Sequence, residues 1–208
     1  MTEAIRILIV EDEPLIAENI SMYLNNHNYC VSAIAYDDDE AFKELKQNPP
    51  DAVLLDINLE SPRDGVHIAE YINAYNKVPF IFLTSYSDKN ILERAKKTNP
   101  AGYIVKPFNE QTLYTTIEVA LANFAMQSNK HVPALSATRI NQQLSSPLSD
   151  REFEVIQLIY NGMTNQQICD TLFISMNTVK RHVTNAYFKL DANNRSSAIA
   201  AVRALMLK

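Results

Sequence analysis

The 208-residue sequence predicts an α/β domain with a five-stranded parallel sheet, followed by a small all-α domain of four helices. Three observations support this fold class. Over residues 1–124, short apolar segments alternate with amphipathic helical segments, which is the pattern of repeated βα units. Residues 125–146 are rich in Ser, Asn, Gln and Pro and are predicted to be a linker. Residues 147–208 show helical periodicity and need no strand.

The predicted strands are short apolar segments, as expected of strands buried on both faces of a parallel sheet. They lie at Ile5–Val10, Val31–Ala35, Ala52–Leu55, Phe80–Leu83 and Tyr103–Val105. A segment with helix-starting residues or helical spacing of apolar residues follows each strand. These helices are predicted at Pro14–Leu24, Asp37–Gln47, Val66–Asn76, Asp88–Thr98 and Asn109–Phe124. Five such units predict a parallel sheet with helices on both faces.

The helices of the C-terminal domain are marked by capping signals. Ser149 and Glu152 have the spacing of a capping box, and Asn161-Gly162 follows the first helix as a stop signal. The other three helices are predicted at 164–172, from a cap at Ser175 to about residue 189, and from 194 or 195 to 207.

Composition excludes several classes of protein. No segment approaches the ~20 consecutive apolar residues of a membrane span, and the N-terminus, which carries Glu3, does not match a signal peptide. The two cysteines, Cys30 and Cys169, form no CxxC motif. Neither a zinc site nor a disulfide framework is therefore predicted. We expect a cytoplasmic protein that does not interact with a membrane.

Charge is unevenly distributed along the chain, whose net charge is −5. Residues 1–124 contain 10 Lys or Arg and 19 Asp or Glu, a net charge of −9. From Thr171 to the end there are six basic residues and one acidic residue. This asymmetry indicates different partners for the two domains, and double-stranded DNA is a natural partner for the basic one.

Acidic, hydroxyl and lysine side chains stand where four predicted strands end. Glu11 and Asp12 follow the first strand, Asp56 the third, Thr84 the fourth and Lys106 the fifth. Ligands of open parallel sheets bind at the carboxyl ends of strands, so these residues are expected to converge. A hard cation such as Mg²⁺ relieves repulsion among three carboxylates. Together with Lys106 it would neutralise an incoming phosphoryl group, and Asp56 would be the nucleophile.

Four segments resemble the receiver domains of bacterial two-component response regulators, whose fold is a (βα)5 flavodoxin-like sheet. They are ILIVEDEP at 7–14, VLLDINL at 53–59, IFLTSYSD at 81–88 and GYIVKPF at 102–108. The resemblance implies that Asp56 is the phosphoacceptor and that a sensor histidine kinase is the phosphoryl donor. It also implies that the receiver catalyses its own phosphoryl transfer and dephosphorylation, without being an enzyme for another substrate.

The same resemblance assigns roles to the neighbours of Asp56. The implied ligands of Mg²⁺ (or Mn²⁺) are Asp12, Asp56, the backbone carbonyl of Asn58 and, through water, Glu11. Lys106 would contact the phosphoryl group, and Lys106-Pro107 is expected to be a cis peptide. Thr84 and Tyr103 resemble the switch pair of the family, in which the hydroxyl moves toward the phosphoryl group and the ring turns inward.

The loop after the third strand departs from the commonest receiver form. Residues 59–65, LESPRDG, are one residue longer and lack a proline directly after Leu59. Because this loop borders the site, it bears on access, on the lifetime of the phosphate and on the choice of kinase.

The third C-terminal helix combines an apolar face with a basic one. Residues predicted to pack inward are Val179, Val183, Ala186 and Phe188, and those predicted to face outward are Lys180, Arg181, Thr184, Asn185 and Lys189. No acidic residue lies between Thr171 and Leu190. A helix of this width fits the major groove, where Lys and Arg read guanine edges.

Residues 148–201 resemble the helix-turn-helix domain of LuxR/FixJ/NarL-type regulators. The matching features are Gly162, ISMNTVKRHV at 174–183, Lys189-Leu190 and Asn194-Arg195. The implied base-reading residues are Lys180, Arg181 and Thr184, and the implied phosphate contacts are Asn165, Thr178, His182, Asn185 and Lys189. We expect a transcription factor whose phosphorylation controls sequence-specific DNA binding. The altered receiver face, around helix four, strand five and helix five or around helices one and five, would change dimerisation or release the DNA-binding domain.

Two other functions stay open at this point. In a phosphorylation-independent DNA-binding regulator, Asp56→Asn would bind DNA like the wild type. A Mg²⁺-dependent phosphatase with an Asp nucleophile would turn over phosphomonoesters. The chain has only three glycines, Gly65, Gly102 and Gly162, and so lacks the glycine-rich phosphate loop of many such enzymes.

Overall fold

The computed structural model describes residues 4–25, 29–85, 89–129 and 135–207. The chain divides into two compact units, with the boundary between residues 121 and 122. Each unit contains its own hydrophobic core. Within the described ranges, no helix is both long enough and apolar enough to cross a membrane.

The N-terminal unit is a five-stranded parallel sheet in the order β2-β1-β3-β4-β5, and the predicted fold class is confirmed. The strands are β1 (Ile5–Val10), β2 (Tyr29–Ala35), β3 (Ala52–Asp56), β4 (Phe80–Thr84) and β5 (Gly102–Val105). The helices are α1 (Pro14–Leu24), α2 (Asp38–Gln47), α3 (Gly65–Tyr71), α4 (Lys89–Lys97) and α5 (Glu110–Asn129).

Strands β3 and β4 form the centre of the sheet, and every one of their residues is buried. Their sequences, AVLLD and FIFLT, contain no internal polar position because helices cover both faces of a parallel sheet. Polar residues appear only at the carboxyl ends, where Asp56 and Thr84 stand. The sheet therefore presents its chemistry at one edge.

Two helices differ from the prediction. The segment predicted as one helix over 66–76 is an α-helix to Tyr71 that continues as a π-helical turn, Ile72–Asn76, and stops at Lys77 with a φ of 53°. Helix α5 extends to Asn129, five residues into the predicted linker, as the sequence allowed, since no Gly or Pro lies between Phe124 and Pro133.

The C-terminal unit contains the four predicted helices, α7 (Asp150–Tyr160), α8 (Asn165–Leu172), α9 (Met176–Lys189) and α10 (Arg195–Leu207). A short additional helix, α6 (Ala137–Asn141), lies inside the predicted linker and packs with them. Its Ile140 is fully buried, and the Asn141 amide pairs with both backbone polar groups of Leu148. A helix of five residues is too short to show periodicity in sequence.

Capping residues set the ends of these helices. The capping box of Ser149 and Glu152 is present, and Thr164 and Gln167 form a second one at the start of α8. Gly162 has a φ of 87°, the left-handed conformation expected after the end of a helix.

Candidate functional sites

The carboxyl ends of four strands bring the predicted acidic residues together. In the parallel register, Val10 is opposite Leu55, Asp56 is opposite Leu83 and Thr84 is opposite Val105. The residues that follow these positions therefore meet at one edge of the sheet.

Lys106 lies between two carboxylates at this edge. Its Nζ is 2.6 Å from Asp56 Oδ2 and 2.8 Å from the Glu11 carboxylate. Glu11 is fully buried, and the Lys106 side chain is only 14% exposed. At this low exposure, water screens the three charges weakly. The lysine thus offsets part of the negative charge beside Asp56.

The environment shifts the pKa values of two of these groups. The pKa of Glu11 is raised to about 7, chiefly by burial; the hydrogen bond from Lys106 acts to lower it, and the neighbouring Asp56 charge acts to raise it. Burial disfavours the charged form of Lys106, but its hydrogen bonds to Asp56 and Glu11 outweigh this and raise its pKa. Lys106 is therefore a fixed positive charge at neutral pH.

Three carboxylates at this edge fit a divalent cation. Oxygens of Glu11, Asp12 and Asp56 all lie within 4.8 Å of one another. Glu11 Oε1 accepts a hydrogen bond from Lys106, and its Oε2 lies 2.8 Å from the same ammonium group. Hard oxygen donors in this arrangement are the ligands that Mg²⁺ prefers.

The loop between β3 and α3 contacts these carboxylates through its backbone. The N–H of Asn58 donates to Asp56 Oδ1 at 2.9 Å, and the N–H of Glu60 donates to Asp12 Oδ2 at 3.0 Å. The longer loop noted in the sequence is therefore part of the site.

The two predicted switch residues lie next to the site on β4 and β5. Thr84 is buried at the end of β4. The Tyr103 ring stacks on Phe82 at a centroid distance of 5.9 Å, and its buried hydroxyl has no hydrogen-bond partner among the described residues. Burial raises the pKa of Tyr103. The Lys106-Pro107 peptide is cis, as predicted.

In the C-terminal unit, helices α8 and α9 form a helix-turn-helix. The buried face of α9 consists of Val179, Val183 and Ala186, followed by Leu190. Arg181, Thr184 and Asn185 are exposed on the opposite side, and Lys180 is partly exposed. The prediction that these four side chains face outward from α9 is therefore confirmed.

Phe188 was predicted to pack inward, and that prediction is wrong. Its side chain is 84% exposed. Phe188 is nine residues after the buried Val179, which is about two and a half turns of an α-helix and leads to the opposite side. Leu190, rather than Phe188, completes the apolar face.

The predicted phosphate-contacting residues differ in their surroundings. Asn165 is buried in the first turn of α8. The Thr178 hydroxyl lies 2.9 Å from that of Ser175, and His182 is partly exposed. Lys189 donates to Glu152 at 2.7 Å and to the Pro147 carbonyl at 2.9 Å. The Lys189 ammonium group thus binds other groups of the same domain.

Two protein families match the two units of this chain. The response regulator receiver domain matches residues 7–118, and the luxR family of bacterial regulatory proteins matches residues 146–202. The chain belongs to the response regulator family. Its receiver domain implies a histidine kinase partner, and its LuxR-type domain implies binding to DNA.

The sequence of this response regulator is similar to those of other regulatory proteins over nearly its whole length. The transcriptional regulatory protein YdfI of Bacillus subtilis is 26% identical over 199 residues, which is 93% of each chain. The transcriptional regulatory protein DegU of Brevibacillus brevis is 27% identical over 215 residues, covering 94% of this chain and 91% of that one. The receiver also resembles a solved structure, the signal receiver domain of a modulated diguanylate cyclase from Desulfovibrio desulfuricans. That structure is 35% identical, has a TM-score of 0.56, and the match covers 59% of this chain and 97% of that chain.

Two residues of this response regulator matter to its sites although they were not predicted to do so. A Cβ on Gly65 would lie 1.9 Å from the backbone oxygen of Asp56, so only glycine fits there. The scarcity of glycine in the chain was the available signal. The buried Arg195 donates from Nη2 to the carbonyls of Ile159 and Met163, 2.9 and 2.6 Å away, and so joins α10 to the end of α7.

Proposed function

We propose that Asp56 accepts a phosphoryl group from a sensor histidine kinase and that this modification controls sequence-specific DNA binding by the C-terminal domain. The observation that carries the proposal is the 2.6 Å contact between Lys106 and Asp56 beside the carboxylates of Glu11 and Asp12. A carboxylate nucleophile with a fixed cation and a cation-binding set next to it is suited to phosphoryl transfer.

In the proposed reaction, a carboxylate oxygen of Asp56 attacks the phosphorus atom of a phosphohistidine. An O–P bond forms, the P–N bond breaks, and its electron pair stays with the imidazole nitrogen. Lys106, within hydrogen-bond distance of Asp56 Oδ2, contacts the transferred phosphoryl oxygens and offsets their charge. Attack by water on the same phosphorus would later release inorganic phosphate and restore the carboxylate, so the receiver catalyses both steps on itself.

Mg²⁺ (or Mn²⁺) is the proposed cofactor of both steps. Asp12, Asp56 and the backbone carbonyl of Asn58 would hold it, with Glu11 acting through water. A bound divalent cation supplies positive charge that neutralises the phosphoryl oxygens. The residues themselves contribute the site, since their oxygens already lie within 4.8 Å of one another.

Thr84 and Tyr103 are proposed to pass the change to the rest of the receiver. Movement of the Thr84 hydroxyl toward the phosphoryl group would bias the receiver between two arrangements. The Tyr103 ring packs on Phe82, but its hydroxyl has no hydrogen-bond partner within the described part of the chain, so the ring can turn without breaking a hydrogen bond there.

The exposed face of α9 is the proposed DNA-reading surface. Lys180, Arg181 and Thr184 would reach base edges, and Asn165, Thr178, His182 and Asn185 would contact phosphates. For Lys189, the ion pair with Glu152 favours a structural role over the phosphate contact implied by the family. A regulator of promoter DNA acts in the cytoplasm, where the bacterial chromosome lies.

We propose that phosphorylation promotes a homodimer, with receiver (1–124), linker (125–146) and DNA-binding domain (147–208) as functional parts. Exposed apolar side chains favour helices one and five as its surface. Leu15 and Met22, two turns apart on α1, are 74% and 76% exposed, and Val119 on α5 is 53% exposed. A dimer would place two DNA-binding domains on a palindromic site.

Phosphorylation of the purified protein by acetyl phosphate and Mg²⁺ tests this function. The wild type is expected to be labelled, Asp56→Asn is expected to be unlabelled, and phosphorylation is expected to increase DNA affinity. Full labelling of Asp56→Asn would refute the site assignment. Equal DNA affinity in all states would favour the phosphorylation-independent regulator, and multiple turnover of a phosphomonoester would favour the phosphatase.

A further inference from the structure

The loop of residues 57–64 positions two of the carboxylates of the proposed metal site. Its backbone N–H groups at Asn58 and Glu60 donate to Asp56 and Asp12, at 2.9 and 3.0 Å. Groups that hydrogen-bond to metal ligands orient those ligands and so affect metal affinity. Whatever fixes this loop therefore also fixes the oxygens offered to the cation.

Arg63 fastens the loop to α2. Its Nε pairs with the carboxylate of Asp38, whose side chain is 4% exposed, and its Nη2 lies 2.5 Å from Asp39 Oδ1. The guanidinium carbon also lies 4.5 Å from the centroid of the Phe42 ring. A planar guanidinium can satisfy two carboxylates and an aromatic face at once, which the compact ammonium of a lysine cannot.

The rest of the loop is short and closely tied to this anchor. The Ser61 hydroxyl donates to the carbonyl of Arg63 at 2.8 Å, and only Ser61 and Pro62 lie between Arg63 and Glu60. On the other side of Arg63, Asp64 caps α3 and accepts a hydrogen bond from Arg94 of α4 at 2.7 Å. The chain between Arg63 and the Glu60 N–H therefore has little conformational freedom.

We propose that Arg63 is a positioning residue for the metal site, since by anchoring the loop on α2 it holds the Glu60 N–H against Asp12. The carboxylates are then arranged for a cation before it binds. This inference rests on the proposed function and adds to it a specific role for the longer loop, namely control of metal affinity at the phosphorylation site.

Removal of Arg63 separates positioning from simple electrostatics, because the two predict opposite effects. Removing a positive charge near a cation site strengthens cation binding by Coulomb's law. Removing an anchor weakens it. Lys46 provides the matched control, because it is a cation of α2 that lines the same surface groove as Arg63 and Phe42. Its Nζ lies 5.8 Å from the centroid of the Tyr71 ring.

Calorimetric titration of the full-length protein with Mg²⁺ is the test. Arg63→Ala is expected to raise the Mg²⁺ dissociation constant about tenfold, a typical cost of losing support for a metal ligand. Arg63→Lys should fall between Arg63→Ala and the wild type, and Lys46→Ala should bind Mg²⁺ as the wild type does or slightly more tightly. Equal or tighter binding by Arg63→Ala overturns the proposal.

Hydrogen exchange of the Glu60 amide provides a second readout that needs no metal. Exchange is expected to be faster in Arg63→Ala than in the wild type, with the two melting temperatures confirming that both proteins are folded. Unchanged exchange overturns the anchoring role. If the wild type binds no Mg²⁺, both the proposed metal site and the role of Arg63 are refuted. If the wild type and Arg63→Ala bind Mg²⁺ equally well, only the role of Arg63 is refuted.

Discussion

The ammonium nitrogen of Lys189 lies 2.7 Å from an oxygen of the buried Glu152 carboxylate, and this ion pair joins the last turn of α9 to the first turn of α7. The same carboxylate accepts a hydrogen bond from the N–H of Ser149 at 2.8 Å and completes the capping box. One acidic side chain thus caps the start of α7 and joins α9, the proposed DNA-reading helix, to it.

Lys189→Met is expected to destabilise the C-terminal domain by about 1–3 kcal/mol, because it leaves a buried carboxylate without its charged partner. Urea denaturation followed through amide signals of α9 measures this loss. Lys180→Met removes a charge of the same helix without breaking an ion pair seen in the structure, and is the control. Equal stability of the two variants would contradict a structural role for Lys189.

Glu152 should also make the stability of this domain depend on pH. Burial raises its pKa, but hydrogen bonds from Lys189 and Ser149 outweigh this, so the pKa lies below its usual value. A depressed folded-state pKa contributes stability above the unfolded pKa of about 4.3, and this contribution is lost as the pH falls further. Glu152→Gln should therefore be less stable than the wild type at pH 7, with the difference shrinking toward pH 3. A difference that is constant over this range would contradict the ion pair.

Gly65→Ala is expected to abolish or strongly reduce labelling by acetyl phosphate. The added methyl group would lie 1.9 Å from the backbone oxygen of Asp56, so the backbone of the phosphoacceptor must move. Overpacking of this kind costs about 1–3 kcal/mol or more. Gly102→Ala is the matched control, since its nearest atom is a side-chain atom, Thr116 Cγ2, at 3.3 Å rather than a backbone oxygen at 1.9 Å. Similar labelling of both variants would show that the close approach at Gly65 is unimportant.

Phe188→Ser should leave the unfolding free energy within about 0.5 kcal/mol of the wild type, as is usual for exposed positions. Val183→Ala, on the buried side of the same helix, should cost about 1 kcal/mol or more, since it removes core contacts. Thermal denaturation of the full chain compares the two. A large loss on Phe188→Ser would show that the ring is buried in solution.

Arg181→Ala is expected to weaken binding to the specific DNA site by about 1–3 kcal/mol and to relax the base preference at one position. Fluorescence anisotropy with a DNA site obtained by in vitro selection, and with single-base variants of that site, measures both effects. Arg151→Ala removes an arginine of α7 that pairs with Glu154 and controls for net charge. Equal losses in the two variants would indicate only long-range attraction to DNA.

Much of this architecture follows from local patterns in the sequence. Continuous apolar segments such as Val53–Leu55 that alternate with helical segments indicate a parallel sheet covered on both faces, and polar residues at the ends of its strands then converge. For that reason the sequence alone predicts that Asp56, Lys106 and Asp12 lie at one edge of the sheet. Capping signals such as Ser149 act over three residues, and they too were readable from the chain.

The tertiary structure decided which groups meet across long separations. Glu152 and Lys189 are 37 residues apart, and their contact depends on how α7 and α9 pack. The approach of Gly65 to the Asp56 backbone depends likewise on the exact path of a loop. Helical geometry alone predicts that Phe188 points away from the buried face of α9. Which side chains α9 contacts depends instead on how the helices pack. Local patterns along the chain therefore predict the strands, most helix ends and the edge of the sheet that bears the acidic residues. The pairings of charged groups, and the anchoring of the loop by Arg63, needed the folded chain because they depend on distances between elements rather than along them.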